Sequence, residues 1–207
     1  MKAPIPKAVV HRLPLYLRRL EYLNTDGVET VSSRSLAESL GLKDAQVRKD
    51  LAYFGTFGRP GVGYPVRDLI DRLREILGTD HTWRLALVGF GNLGRALLSY
   101  RGFRRKGFHI EAVFDADRAK IGRRAGDLVV QDVANLVPEV RRRRLPLAIL
   151  AVPAEAAQQV ATELVRAEIA GILNFAPVSL DLPPNVPVNN VDLAVCLEQL
   201  TFHVSKR

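Results

Sequence analysis

The sequence predicts an α/β protein in two parts: a small helical domain, then a parallel sheet with helices packed on both of its faces. Three observations predict it. An apolar run over 85–88 enters Gly89-Phe-Gly91-Asn-Leu-Gly94, and an amphipathic run leaves it, which is a strand, a tight turn and a helix start. From Trp83 onward, short apolar runs alternate with helical stretches, as in a parallel sheet covered on both sides. Everything before Trp83 reads instead as short amphipathic helices separated by glycine turns.

The elements follow in order. Residues 8–23 read as a helix, with Val9, Leu13, Leu17 and Leu20 at helical spacing between Arg12, Arg18, Arg19 and Glu21. Pro14 is expected to kink it or delay its start. Asn24-Thr-Asp-Gly27 ends it, and the β-branched stretch 28–31 predicts a short strand. Ser32 or Ser33 caps a second helix over 34–40, which Gly41 stops. Asp44 caps a third helix running to Phe54. Its apolar stripe is Val47, Leu51 and Phe54, while Gln46, Arg48, Lys49 and Tyr53 point elsewhere. A short helix, a glycine turn and a helix with a polar, basic outer face make the helix-turn-helix layout. An ordinary three-helix bundle with a loop is the alternative. The glycine-rich segment 55–64 predicts a tight hairpin, a wing. Residues 66–77 form a fourth helix and 78–81 a linker.

Beyond the linker, strands are expected over 85–88, 110–114, 147–152 and 171–174, with weaker ones at 128–130 and 186–188, and a helix over 154–167. The chain thus divides into a winged helix-turn-helix domain over 1–78 and a Rossmann doubly wound domain over 82–207.

The glycine motif carries chemistry. Gly89 permits the sharp turn, Gly91 lets backbone approach a phosphate, and Gly94 lets the helix sit close to the strand. The N–H groups at the helix start then suit a pyrophosphate. The next strand ends in Phe114-Asp115, about twenty residues further on, where a carboxylate accepts from a ribose 2′-hydroxyl and repels a 2′-phosphate. That favours NAD over NADP, with another nucleotide such as coenzyme A as the alternative. Ala151-Val152-Pro153 and Asn174-Phe175-Ala176-Pro177 close two further strands, so both are expected along the nicotinamide half of the crevice. A hydride-transferring enzyme needs an acid–base group there. None of His11, His81, His109 and His203 is placed for it, nor are Lys106, Lys120 and Lys206.

The totals agree with a DNA partner without requiring one. The formal net charge is +8, but the clusters 101–106 and 141–144 read as solvated faces. The single cysteine, Cys196, excludes an intrachain disulfide and a cysteine-built metal site, and reads as a small core residue. No secretory leader and no membrane-length apolar run is found, so a cytoplasmic location is expected. In the third helix, Lys43, Gln46, Arg48 and Lys49 are candidates for base or phosphate contact, and Arg59 for the minor groove.

These residues together resemble one family. Arg12-Leu-Pro-Leu-Tyr16, Val47-Arg-Lys-Asp-Leu51 with Tyr53-Phe-Gly55, Gly61-Val-Gly-Tyr64, the glycine motif, Phe114-Asp115 with Lys120-Ile-Gly122, Ala151-Val-Pro153, Gly171-Ile-Leu-Asn-Phe-Ala-Pro177 and Val191-Asp192 resemble Rex, the bacterial redox-sensing transcriptional repressors. The resemblance implies a homodimer whose final helix swaps onto the partner. It implies palindromic operator DNA as partner, NADH and NAD+ as sensed ligands, and release from DNA by NADH. It implies no metal, no membrane and no catalysis. For the cofactor it implies Gly89, Phe90, Gly91, Asn92, Leu93, Gly94, Asp115, Lys120, Val152, Pro153, Asn174, Phe175, Ala176 and Pro177. For DNA it adds Arg12, Ser33 and Tyr64. For the switch between states it implies Arg18, Tyr100 and Asp192. One departure is that Pro60 stands before Gly61-Val-Gly-Tyr64, where family wings carry a base; the base here is Arg59.

Overall fold

The computed structural model describes residues 5–59 and 61–205. Pro60 and Lys206 lie outside the described residues. The chain divides into two compact units, Met1–His81 and Thr82–Arg207.

The first unit runs α1 (Lys7–Thr25), β1 (Thr30–Val31), α2 (Ser33–Glu38), α3 (Asp44–Ala52), β2 (Tyr64–Pro65) and α4 (Val66–Leu77). Pro14 does not delay α1, which starts at Lys7 and continues past it to Thr25. Proline removes one N–H, and the carbonyl that loses this donor belongs to Val10, which faces solvent. Ser32 is the cap of α2; its side chain accepts from Ser35 N–H. Asp44 does not cap α3. It is the first helical residue, Lys43 holds the cap position without a side-chain bond, and the Asp44 carboxylate accepts from Ala45 N–H and from Arg48 Nη1. The expected wing is confirmed at its base, where β1 pairs antiparallel with β2, and Arg59 bridges Gly63 nearer the tip. Tyr16, Leu13, Leu20, Leu36, Val47, Leu51, Leu69 and Leu73 form the core. Tyr53, expected to point away, packs against it.

The second unit runs β3 (Trp83–Val88), α5 (Asn92–Ser99), α6 (Arg101–Arg105), β4 (Phe108–Asp115), β5 (Arg124–Ala125), β6 (Leu128–Asp132), α7 (Leu136–Arg143), β7 (Leu147–Leu150), α8 (Ala154–Arg166), β8 (Gly171–Asn174), β9 (Val188–Asn190) and α9 (Leu193–Val204). The seven-stranded sheet has the order β5-β6-β4-β3-β7-β8-β9. Its pairs are parallel except β5 with β6, a small hairpin that hydrophobic periodicity does not reveal. Leaving out β5, this is the Rossmann order, with its switch point between β3 and β7.

Alternation along β3 splits the core. Ala86 and Val88 face α7 and α8 with Leu136, Val140, Ala157, Ala161 and Leu164. Leu85 and Leu87 face Leu97, Leu98 and Phe103 of α5 and α6. The last strand begins at Val188 rather than at 186. Val186 is buried as loop, and the Pro187 carbonyl accepts from Ile172 N–H before strand pairing starts. Cys196 is not a core residue: it is exposed on α9. Leu193, Val195, Leu197, Leu200, Phe202 and Val204 of that helix are exposed as well.

Candidate functional sites: a nucleotide crevice and a helix-turn-helix face

The C-terminal ends of β4, β3, β7 and β8 lie side by side, and the predicted cofactor residues sit on them. Gly89 has φ +98°, and a Cβ there would collide with the Ala151 carbonyl across the switch point. A Cβ at Gly94 would collide with the Gly89 carbonyl, so α5 starts hard against the loop. Gly91 differs. Its φ is −77° and a Cβ would meet nothing within 4 Å. The fold does not need a glycine there, which leaves close approach from outside as its use. Gly91 is also the N-cap of α5 and has no side chain to cap it, so first-turn N–H groups remain for an anion. Asn92 and Leu93 are exposed beside it, and the Arg95 guanidinium lies 6.0 Å from the Phe90 ring centroid.

Asp115 is nearly buried. Its carboxylate accepts from Phe90 N–H at 2.7 Å, from Asp117 N–H at 2.8 Å and from Lys120 Nζ at 3.2 Å. Burial alone would raise its pKa, but the Asp117 and Phe90 N–H groups and Lys120 together hold it below the usual carboxylate range. A carboxylate offers about four lone-pair positions, and Lys120 Nζ spans both oxygens at 3.2 and 3.4 Å, so a further donor would share or displace the Lys120 contact. The same residue therefore ties the glycine loop to β4 and keeps an ionised acceptor at the crevice.

Val152 is half-buried, and Pro153 opens α8. Ala176 is buried, Phe175 half-buried and Pro177 exposed. Asn174 does not present its side chain to the crevice. It is fully buried, its Nδ2 donates to the Ala176 and Val178 carbonyls and to Asn190 Oδ1, and its Oδ1 accepts from Ala176 N–H. Asn174 shapes the loop after β8 and, through Asn190 and the bond from Val191 N–H to its own carbonyl, ties that loop to the segment leading into α9.

Of the predicted switch residues, Asp192 is the N-cap of α9, accepting from Ala194 and Val195 N–H. Tyr100 is exposed and stands edge-on to Phe103, centroids 5.1 Å apart. Arg18 is exposed on α1.

In the first unit, Lys43, Arg48 and Lys49 are exposed along α3 and Gln46 partly so. Arg48 donates to Ser33 Oγ at 3.1 Å and pairs with Asp44 at 2.6 Å, linking the two helices of the motif. Arg59 is exposed on the wing, while Tyr64 is half-buried against the core at the wing's base, and burial raises its pKa. Arg12 is not a free cation. Its Nε and Nη2 grip Asp50 at 2.6 and 2.9 Å. Asp50 is wholly buried and also accepts from Tyr16 Oη at 2.7 Å and from Gln46 Nε2 at 2.6 Å. Burial works against its charge, yet Arg12, Tyr16 and Gln46 outweigh it and hold the carboxyl below its usual range. Asp50 is a site residue that the sequence pattern does not single out. The available signal was a carboxylate between Val47 and Leu51, on the buried side of α3. Among the described residues no group of His, Cys, Asp and Glu is arranged to hold a metal, and no helix is long and apolar enough to cross a membrane.

Comparison with known proteins agrees with both halves. Residues 80–178 match a family described as a CoA binding domain, and 4–52 one described as the N-terminus of putative DNA-binding proteins. The redox-sensing transcriptional repressor Rex of Carboxydothermus hydrogenoformans is 50% identical over 98% of this chain and 97% of its own length. The repressor of the same name from Thermosipho africanus is 42% identical, covering 100% of this chain and 99% of its own length. The crystal structure of RSP in complex with β-NAD+ and operator DNA superposes with a TM-score of 0.94 at 38% identity, covering 99% of this chain and 94% of that one. RSP with β-NADH gives 0.91 at 36% identity, covering 99% and 96%. With a winged helix-turn-helix and a Rossmann crevice in one chain, and that likeness along nearly its full length, the chain belongs to the Rex family of redox-sensing transcriptional repressors.

Proposed function

We propose that this chain is a transcriptional repressor that reads the NADH/NAD+ ratio, binds a palindromic operator as a homodimer and leaves it when NADH binds. One observation carries the reading: an ionised acceptor at Asp115 and an uncapped α5 behind Gly91 stand in the same chain as a helix-turn-helix with a polar outer face, and RSP, matched over nearly all of this chain, has been solved with NAD+, with NADH and with operator DNA. The α5 N-terminus and the Gly91 backbone hold the pyrophosphate, Asp115 the adenine ribose, and Val152, Pro153, Phe175, Ala176 and Pro177 line the nicotinamide half. When bound, the dinucleotide supplies a ring that is charged in one redox form and neutral in the other. Lys43, Gln46, Arg48, Lys49 and Arg59 meet DNA.

Residues 1–78 serve as the DNA-binding domain and 82–207 as the cofactor-binding and dimerisation domain. The apolar α9 is covered by a second copy. Two features support this: no helix separates β8 from β9, and Leu173 and Phe175 on that side of the sheet remain half-exposed. Arg18, Tyr100 and Asp192 form the pairings that differ between the two states, since a ligand shifts an equilibrium only by its differential affinity. The protein acts in the cytoplasm, where its operator lies, and regulates rather than catalyses.

The test is a titration of NADH and of NAD+ into the protein–operator complex, read by fluorescence anisotropy. NADH should release DNA at far lower concentration than NAD+. Equal effects of the two, or none, would overturn the sensor reading. The description of the 80–178 match favours a second reading, coenzyme A as the ligand. Release by coenzyme A at NADH-like concentrations, undiminished in Asp115→Asn, would establish it.

A further inference from the structure

Asp50 is the most deeply buried charge of the DNA-binding unit, and the proposed function leaves it without a task. Burying a carboxylate is costly unless it is fully paired. Arg12 supplies two hydrogen bonds and Tyr16 a third, so α1 alone could satisfy it. A further donor comes from the other side: Gln46, one turn earlier on α3 and partly exposed, gives Nε2–H to Asp50 Oδ1 at 2.6 Å.

That bond fixes an orientation. The two ends of an amide are sterically alike, but an ionised carboxylate only accepts. The end of Gln46 facing Asp50 is therefore the NH2, and Oε1 is turned away from it. Among the described residues nothing donates to that oxygen. A free glutamine side chain adapts to several bases at an entropic cost, whereas a tethered one is preorganised for one.

We propose that Asp50 is the positioning residue of base recognition: by anchoring the Gln46 amide through its nitrogen it presents Oε1 as an acceptor, which selects at one position of each half-site a base with an exocyclic amine in the major groove, adenine or cytosine. Guanine and thymine turn carbonyl oxygens toward that groove and meet Oε1 acceptor to acceptor. Arg12 and Tyr16 act one step further back, holding the carboxylate still. The proposal rests on reading α3 as the recognition helix.

The experiment uses the full-length protein and a set of operator duplexes in which each base pair of a half-site is replaced in turn by the other three. Affinities are measured by anisotropy for the parent, Gln46→Ala, Asp50→Asn and the double variant. The parent should discriminate on the order of tenfold at one position in favour of adenine or cytosine. Gln46→Ala should remove discrimination at that position and leave the others unchanged. Asp50→Asn should do the same, because a carboxamide donates as well as accepts and lets the Gln46 amide turn over. It should add nothing to specificity in the Gln46→Ala background. NADH affinity, measured in parallel, should not move in any variant.

Gln46→Ala leaves Asp50 its bonds from Arg12 and Tyr16, so it decides the matter even if Asp50→Asn does not fold. Discrimination unchanged in Gln46→Ala overturns the proposal. So does a uniform loss on all duplexes with a shallower salt dependence, which marks a phosphate contact. A folded Asp50→Asn that keeps the Gln46-dependent preference removes Asp50 from the role. A parent that binds every duplex no better than unrelated DNA overturns the recognition-helix reading, and this proposal with it.

Discussion

A Cβ at Gly89 or Gly94 would strike a backbone carbonyl, while one at Gly91 would meet nothing within 4 Å. Alanine substitutions should therefore separate folding from binding within one loop. Gly89→Ala, which also demands a positive φ, and Gly94→Ala should each lower the stability of the second unit by about 1–3 kcal/mol or more. Gly91→Ala should leave thermal unfolding within about 0.5 kcal/mol of the parent yet weaken NADH at least tenfold; equal NADH affinity in Gly91→Ala would remove the phosphate from that position. The buried carboxylates give a pH signature. Asp50 and Asp115 both titrate lower in the folded chain than the ~3.9 of a free aspartate. Each therefore contributes stability that is complete above that value and disappears as pH falls through its folded pKa. Unfolding temperature should drop steeply below about pH 4, and a folded Asp50→Asn should flatten the slope. These residues also mark what was legible. Gly89, Gly91, Gly94 and Asp115 were found because their spacing is local chemistry. Asp50 and the closed side chain of Asn174 were not, because Asp50 is satisfied from residues 34 and 38 positions away and Asn174 partly from one 16 away.

At the scale of elements, the long periodic segments were legible and the short ones were not. The range 66–77 was read to the residue because its apolar stripe is clean and Gly78 closes it in the left-handed conformation. The two-residue β5 and five-residue α6 are too short to show a period. Cys196 differs for another reason: α9 is rich in apolar residues that stay exposed among the described residues, and sequence alone reads apolar as buried. Its first turn carries a prediction. Asp192 caps α9 through two N–H groups, so Asp192→Ala combines loss of a cap, about 1 kcal/mol, with loss of a charge. Asp192→Asn keeps the cap and removes only the charge. If Asp192 belongs to the switch, the asparagine variant should bind NADH and operator alone with near-parental affinity, but the penalty that operator imposes on NADH should shrink several-fold. That penalty is reciprocal by thermodynamic necessity, so it can be read from either titration. An unchanged penalty would release Asp192 from the switch and leave it as a cap.

At the scale of the whole molecule, six large apolar side chains stand in solvent on one helix, far beyond what scattered surface residues need. Leu197→Glu combined with Leu200→Glu should shift the protein from dimer to monomer in sedimentation or light scattering while the Rossmann fold persists. Operator affinity should fall by orders of magnitude, because one half-site replaces two. A dimer that survives both glutamates would mean that another surface holds it. Where covering an apolar helix requires a second copy, thermal stability rises with protein concentration by mass action. The cell's own expression level then enters the answer the molecule gives: at low copy number the same cofactor ratio finds fewer assembled readers, and genes under its control would respond to dosage as well as to metabolism.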